Sequence, residues 1–272
     1  MKQAVKRLLL YAAAGRRLQR WRSLMQNAAS CDQAADICEP GGGRIAVLAP
    51  HMDDEVLGCG GTIARHVRAG ASVTVIFLTD GRHGSAANAA LSEPERSRRQ
   101  RELIETRKEE ARRAGKILGV HALLFLDAED QQLHGDTLAV ERLRDALERQ
   151  EPDLVYLPFF LERHVDHRAA NEVLLAATSG TALDFECRGY EVWTPLFPNC
   201  VVRIDDVIEL KRSALACYQS QLADMDYMHS GIGLSAYRSA AMGSHSGRFA
   251  EAFHTLRLAD YRRFHRAVYR FA

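Results

Sequence analysis

The 272-residue chain has no closely spaced cysteine pair, no internal repeat, no low-complexity tract and no apolar run long enough to span a bilayer. Its six cysteines, Cys31, Cys38, Cys59, Cys187, Cys200 and Cys217, are scattered. At this length and density they predict no disulfide framework and point to a reducing, cytoplasmic setting. The apolar residues 8–14 run straight into Gly15-Arg16-Arg17, which is no signal-peptide cleavage region. Net charge is only +1 at pH 7, so no nucleic acid partner is expected. Acid is missing from residues 1–30, which carry seven basic residues. Val5, Leu8, Leu9 and Ala12, then Leu18, Trp21, Leu24 and Met25, recur at helical spacing. They predict a basic leader helix over 1–26, packed on the body. Its charge admits weak association with an anionic membrane surface, which would make the protein peripheral at the inner membrane. Residues 27–43 read as a linker, so 1–43 is leader and linker and 44–272 a single domain.

What is present is an alternation. Residues 44–49 (RIAVLA), 72–78 (SVTVIFL), 121–126 (HALLFL) and 154–157 (LVYL) are short, bounded apolar runs that read as buried strands. Helical patterns separate them: 60–69, the charged 94–118 ending at Gly119, 137–150 and 166–178. Strands alternating with helices predict an α/β fold, a Rossmann-like, doubly wound, mostly parallel sheet with helices on both faces. Beyond 181 the pattern weakens. Residues 190–193 and 200–204 read as strands, 205–219 as a helix, and 220–248 as a long loop with one helix.

Two polar clusters follow apolar runs. His51, Asp53, Asp54 and Glu55 come directly after 44–49, and His164, Asp166 and His167 follow 154–157. Both therefore leave the carboxyl edge of the same expected sheet and can converge. Asp53 and Asp54 could instead do no more than cap the following helix. Two such clusters at strand ends favour a metal site over capping. Two imidazoles and one carboxylate, His51 and Asp54 with His164 or His167, suit catalytic zinc with a position left for water. Asp53 is then free to act as a base. The glycines Gly58, Gly60 and Gly61 lack the dinucleotide-binding order, because residue 63 is Ile, and read as allowing close packing. Cys59 reads as a small buried residue rather than a ligand.

The stretch 49–61 (APHMDDEVLGCGG) resembles the AHPDDE motif of the PIG-L/LmbE-like zinc N-deacetylases, and 164–167 (HVDH) resembles their HxDH motif. The resemblance runs from about residue 44 to 178. It implies a Rossmann-like core and removal of acetyl groups from N-acetylglucosamine conjugates, either small molecules or lipid-linked sugars. It also implies that His51, Asp54 and His167 hold zinc and that Asp53 is the general base. His164 would stabilise the oxyanion or protonate the leaving amine, with Asp166 orienting it. Iron(II) or another divalent ion also suits such donors. Softer matches suggest substrate contacts from Arg107, in an Arg-x-x-Glu helix with Glu110, and from Asp130. A surface salt bridge and a loop cap are the plain alternatives for these two. Gly81-Arg82-His83 stands where the family commonly has Gly-Glu, so Arg82 and His83 point to an acidic or phosphorylated substrate. Tyr218, Ser220 and Gln221 resemble a structural Tyr-x-Ser-Gln element. Met52 replaces the family's usual Pro, which removes no ligand. Two other readings compete. A non-haem iron oxygenase shares the two-His, one-carboxylate set, but it usually sits on a β-barrel with H-x-D spacing. A non-catalytic Rossmann-like module binding a nucleotide or glycan needs neither metal nor Asp53.

Overall fold

The computed structural model describes residues 35–242 and 247–269. The leader helix expected over 1–26 lies outside these residues. In chain order the elements are β1 (Asp36–Ile37), β2 (Arg44–Ala49), α1 (Asp54–Arg68), β3 (Ser72–Thr79), α2 (Ala86–Ala89), α3 (Glu95–Leu118) and β4 (Ala122–Ala128). Then come α4 (Thr137–Gln150), β5 (Leu154–Pro158), α5 (Val165–Ala177), β6 (Glu186–Tyr190) and β7 (Cys200–Arg203). The chain continues with α6 (Ile208–Leu215), α7 (Gln219–Leu222), α8 (Tyr227–Arg238), a 3-10 turn (Ser239–Met242), β8 (Ala250–Arg257) and α9 (Leu258–Tyr269).

The strands form one sheet in the order β1-β7-β8-β6-β5-β2-β3-β4. Every neighbouring pair is parallel except those made by β8, which runs antiparallel to β6 and β7. Side-chain alternation along β2 explains why both sheet faces are covered. Ile45, Val47 and Ala49 join a core shared with α1, α3 and α6, while Ala46 and Leu48 join one shared with α4, α5 and α9. The fold is thus the doubly wound α/β sheet that the alternation predicts. From β2 the chain winds outward through β3 and β4, then returns to place β5 on the other side of β2. That reversal opens a crevice at the carboxyl ends of β2 and β5, where α/β sheets bind ligands. Both polar clusters leave the sheet there.

Three elements differ from expectation. First, the helix after β2 starts at Asp54, not near Gly60, so the glycines lie inside it. The helix is kinked at Cys59 (φ −147°, ψ 22°). The amides of Gly61 and Thr62 are freed by the kink and donate to the buried Glu251 carboxylate at 2.9 and 2.7 Å. Lys211 neutralises that carboxylate at 2.6 Å. Close packing is the glycines' role: a Cβ on Gly58 would lie 2.2 Å from Cδ2 of the fully buried Tyr190. Gly58→Ala is accordingly expected to cost about 1–3 kcal/mol of stability through overpacking, read as a lower denaturant midpoint. An unchanged midpoint would show that the β6 contact yields freely.

Second, β6 ends at Tyr190, where the sequence pattern begins its strand. The amides of Val192, Trp193 and Thr194 all donate to the Glu162 carboxylate, at 2.6, 2.9 and 3.2 Å, and so leave the ladder. Third, the stretch that reads as a linker contains β1, which pairs with β7. That register sets Ile37 beside Val201 and brings Cys38 to Cys200, with which it forms a disulfide (Cα–Cα 5.8 Å). This bridge departs from the expectation, drawn from chain length and cysteine density, of no disulfide framework; its partners are 162 residues apart. Of the other described cysteines, Cys59 and Cys187 are free and buried and Cys217 is free and half-buried. No helix among the described residues is long and apolar enough to cross a membrane.

Candidate metal-dependent active site

The turn from β2 into α1 places His51, Asp53 and Asp54. Asp54 folds back, and its Oδ2 accepts the His51 amide at 2.9 Å. The same oxygen lies 3.2 Å from His51 Nδ1 and 3.2 Å from His167 Nε2. The two separated motifs therefore meet at one carboxylate oxygen. Simple capping does not account for these acids, since the Asp53 side chain makes no cap hydrogen bond.

His167 is fully buried, and neither ring nitrogen has a hydrogen bond of good geometry. Its Nδ1 faces Glu162 Oε2 at 3.7 Å. His51 Nε2 likewise faces carboxylates, Asp166 Oδ2 at 3.2 Å and Asp130 Oδ1 at 3.3 Å. Each imidazole thus presents one nitrogen to Asp54 and the other to an outer carboxylate, the arrangement that orients histidine ligands on metals. An orphaned buried imidazole aimed at a shared anionic oxygen fits a divalent ion. Further donors converge on His51 in two groups, with His164 and His167 and with Asp130 and Asp166; within each group the donor atoms lie within 4.8 Å of one another. Burial works against the Asp54 charge, yet the His167 and His51 imidazoles outweigh it and hold the carboxyl well below its ordinary range.

His164 caps α5, and its Nδ1 accepts the backbone amide of Asp166 at 3.2 Å. The Asp166 carboxylate itself turns away from His164. It accepts the amides of Gln131 (2.8 Å) and Leu133 (3.4 Å) and meets His51. Burial, then the neighbouring His51 and His167, keep the His164 pKa below the usual value.

Asp53 stands apart from the donors. Its backbone has φ 139°, a conformation that L residues occupy only under constraint. Burial pushes its carboxyl up to about 7, and the Arg107 guanidinium, 3.5 Å away, offsets only part of that rise. Arg107 is 2% exposed and donates to Met52 O (2.8 Å) and Gly81 O (3.2 Å), tying together the turns after β2 and β3. A Cβ at Gly84 would lie 2.2 Å from Arg107 Nη1, which explains the small residue there.

A cavity of about 120 Å³ opens over these groups, lined by His51, Asp53, Asp54, Arg107, Asp130 and His164 among others. His83 also reaches it, and its amide donates to Asp130 at 2.9 Å. Arg82 does not line the cavity; it pairs with Asp80 at 2.6 Å and with Glu129 at 3.5 Å. Sequence reasoning misses Glu162, the acid behind His167. Its only signal is an acid directly after the apolar run 157–161 and two residues before His164.

Comparison with known proteins agrees with this geometry. The family model described as "PIG-L: GlcNAc-PI de-N-acetylase" matches residues 46–178, which span both motifs. The crystal structure of the conserved protein TT1542 from Thermus thermophilus superposes with a TM-score of 0.64 at 28% identity, covering 78% of this chain and 93% of that one. Residues 46–178, with both motifs, thus match the PIG-L/LmbE-like deacetylase family. The diacetylchitobiose deacetylase of Thermococcus kodakarensis is 28% identical over 197 residues, 66% of this chain and 71% of that protein. At the level of fold, the N,N'-diacetylchitobiose deacetylase of Pyrococcus horikoshii superposes with a TM-score of 0.67 at 24% identity, covering 81% of this chain and 87% of that one. The chain is therefore a hydrolase of the PIG-L type, with a donor cluster suited to metal-assisted amide hydrolysis on an acetylated sugar. An oxygenase reading fails on architecture, because the donors sit on a parallel α/β sheet rather than a β-barrel.

The family's softer motifs form one network behind Asp53. The Tyr218 hydroxyl donates to Glu55 Oε1, and Glu55 Oε2 accepts the Asp53 amide at 3.2 Å. Burial lifts the Glu55 carboxyl to about 8, with the Tyr218 hydrogen bond offsetting part of the rise. Ser220 gives Glu110 two hydrogen bonds, at 2.8 and 2.6 Å, so Glu110 serves the Tyr-x-Ser-Gln element and not a surface pair with Arg107. Gln221 donates to Gly84 O at 3.1 Å and lines the cavity.

Proposed function

We propose that the protein is a zinc-dependent N-deacetylase acting on the acetamido group of an N-acetylglucosamine-type sugar conjugate, either a small molecule or a lipid-linked sugar. The observation carrying this reading is Asp54 Oδ2, 3.2 Å from both His51 Nδ1 and His167 Nε2, with His51 and Asp54 lining the cavity. His51, Asp54 and His167 hold the metal in this reading, with Asp130 and Asp166 orienting His51 and Glu162 orienting His167. When bound, zinc brings the pKa of a coordinated water to about 7 and polarises a carbonyl.

The chain's own groups divide the remaining work. Asp53, whose burial raises its affinity for a proton, takes one from the attacking water and can return it to the departing amine. His164 Nδ1 accepts the Asp166 amide, so the ring proton sits on Nε2 even in the neutral form. Nε2–H is then a donor for the oxyanion that forms as the amide carbonyl becomes tetrahedral. Asp130, Gln131, His83 and Gln221 line the same cavity and offer hydrogen-bond partners for sugar hydroxyls.

The test is product release from N-acetylglucosamine, N,N'-diacetylchitobiose and glycosides of N-acetylglucosamine. Acetate and primary amine should appear in equal amounts from at least one. Absence of both from every amino-sugar amide would contradict the reading.

A further inference from the structure

A second cavity, about 280 Å³, adjoins the catalytic one. The two share three lining residues, Leu57, Trp193 and Tyr227. Leu57 follows Asp53 by one helical turn, so this common wall begins beside the catalytic acids. Beyond it the second chamber is lined by Val192, Pro195, Met225 and Leu234, with Gly231 and Ser230 on α8. Trp193 and Tyr227 meet edge to face, with ring centroids 5.7 Å apart.

The charge at this chamber is already neutralised. Glu191 is held by Arg238 through two contacts of 2.6 and 2.5 Å, and Arg238 also donates to Leu196 O at 2.8 Å. The Ser230 hydroxyl donates to Asp226 O at 3.2 Å. What remains facing the space is mainly hydrocarbon and aromatic surface. Such a chamber favours an apolar guest over a sugar ring.

The catalytic cavity is also lined by the polar groups His83, Asp130, Gln131 and Gln221, none of which lines the second chamber. An amide carbon reacting over Asp53 has its sugar nitrogen on one side and its acyl carbon on the other. With the sugar placed among the polar groups, the acyl chain projects towards Leu57, Trp193 and Tyr227. Acetyl ends there, and the chamber behind it is large enough for several more methylenes.

We propose that this chamber is an acyl-chain subsite, so that the protein accepts N-acyl amino sugars with unbranched chains longer than acetyl. The inference rests on the amide-hydrolase reading above. Glu162 links the subsite to the metal site, because one carboxylate anchors the Val192–Thr194 amides and faces His167.

The experiment is a chain-length series of N-acyl glucosamines, from acetyl through butyryl and hexanoyl to octanoyl, followed by amine release. A parallel series of alkyl glycosides of N-acetylglucosamine is followed in the same way. KM should fall along the acyl series by up to about fourfold per added methylene, until the chamber is filled. Leu234→Trp, and independently Ser230→Phe, should collapse the octanoyl-to-acetyl KM ratio towards one. A KM that rises with acyl length, or a gain confined to the alkyl glycosides, overturns the proposal while acetate release from N-acetyl substrates still upholds the hydrolase reading. Tryptophan fluorescence titrated with N-octanoylglucosamine gives a readout independent of turnover. Trp193 emission should shift with the octanoyl compound at concentrations where the acetyl compound has no effect. An unshifted spectrum overturns the subsite even if no amide in either series is cleaved.

Discussion

Asp53→Asn is expected to lower turnover about 10²–10⁴-fold while leaving bound metal unchanged. The substitution keeps size and shape but removes the proton acceptor and the negative charge beside Arg107. Asn is the closest match to Asp in shape, so the constrained backbone at φ 139° is expected to be retained. Asp53 sits beside Arg107, outside the His51–Asp54–His167 contact, so the donors are intact. Metal analysis after dialysis and kcat on the best N-acetyl substrate check the two halves. Near-normal kcat would remove Asp53 from the role of base, and lost metal would make it a ligand.

His167→Ala is expected to lose both metal and activity, with metal content falling from stoichiometric to background. Its imidazole is fully buried between Asp54 and Glu162. Truncation leaves two buried carboxylates facing a void, so a drop in thermal stability accompanies the loss. His167→Gln restores volume and a hydrogen-bond donor without an imidazole. It should recover most of the stability and little of the metal. Full metal retention in either variant would exclude His167 as a ligand.

The parts of this site visible in the sequence are those set by local chemistry. An apolar run ending in His51-Met52-Asp53-Asp54, and another ending before His164-Val165-Asp166-His167, show strand ends with more polar groups than a turn requires. The alternation between them puts both on one sheet edge. What is illegible depends on partners distant in the chain. Asp130 comes to His51 only because β4 runs parallel to β3 and delivers its loop to the same edge. Glu162 gains meaning from the amides of Val192 to Thr194, about thirty residues on. The kink in α1 is satisfied by Glu251 from β8, an antiparallel strand with no strong periodic signal. Asp166 shows the limit of motif reasoning: its place beside His164 in sequence suggests a partner, while its side chain faces His51.

In the proposed reaction a metal held by His51, Asp54 and His167 is required for amide cleavage. The most direct measurement is acetate release from N,N'-diacetylchitobiose by the same protein preparation before chelation, after chelation and dialysis, and after zinc is restored. The predicted result is loss of release on chelation and recovery on adding zinc. Undiminished release from metal-free protein would contradict it.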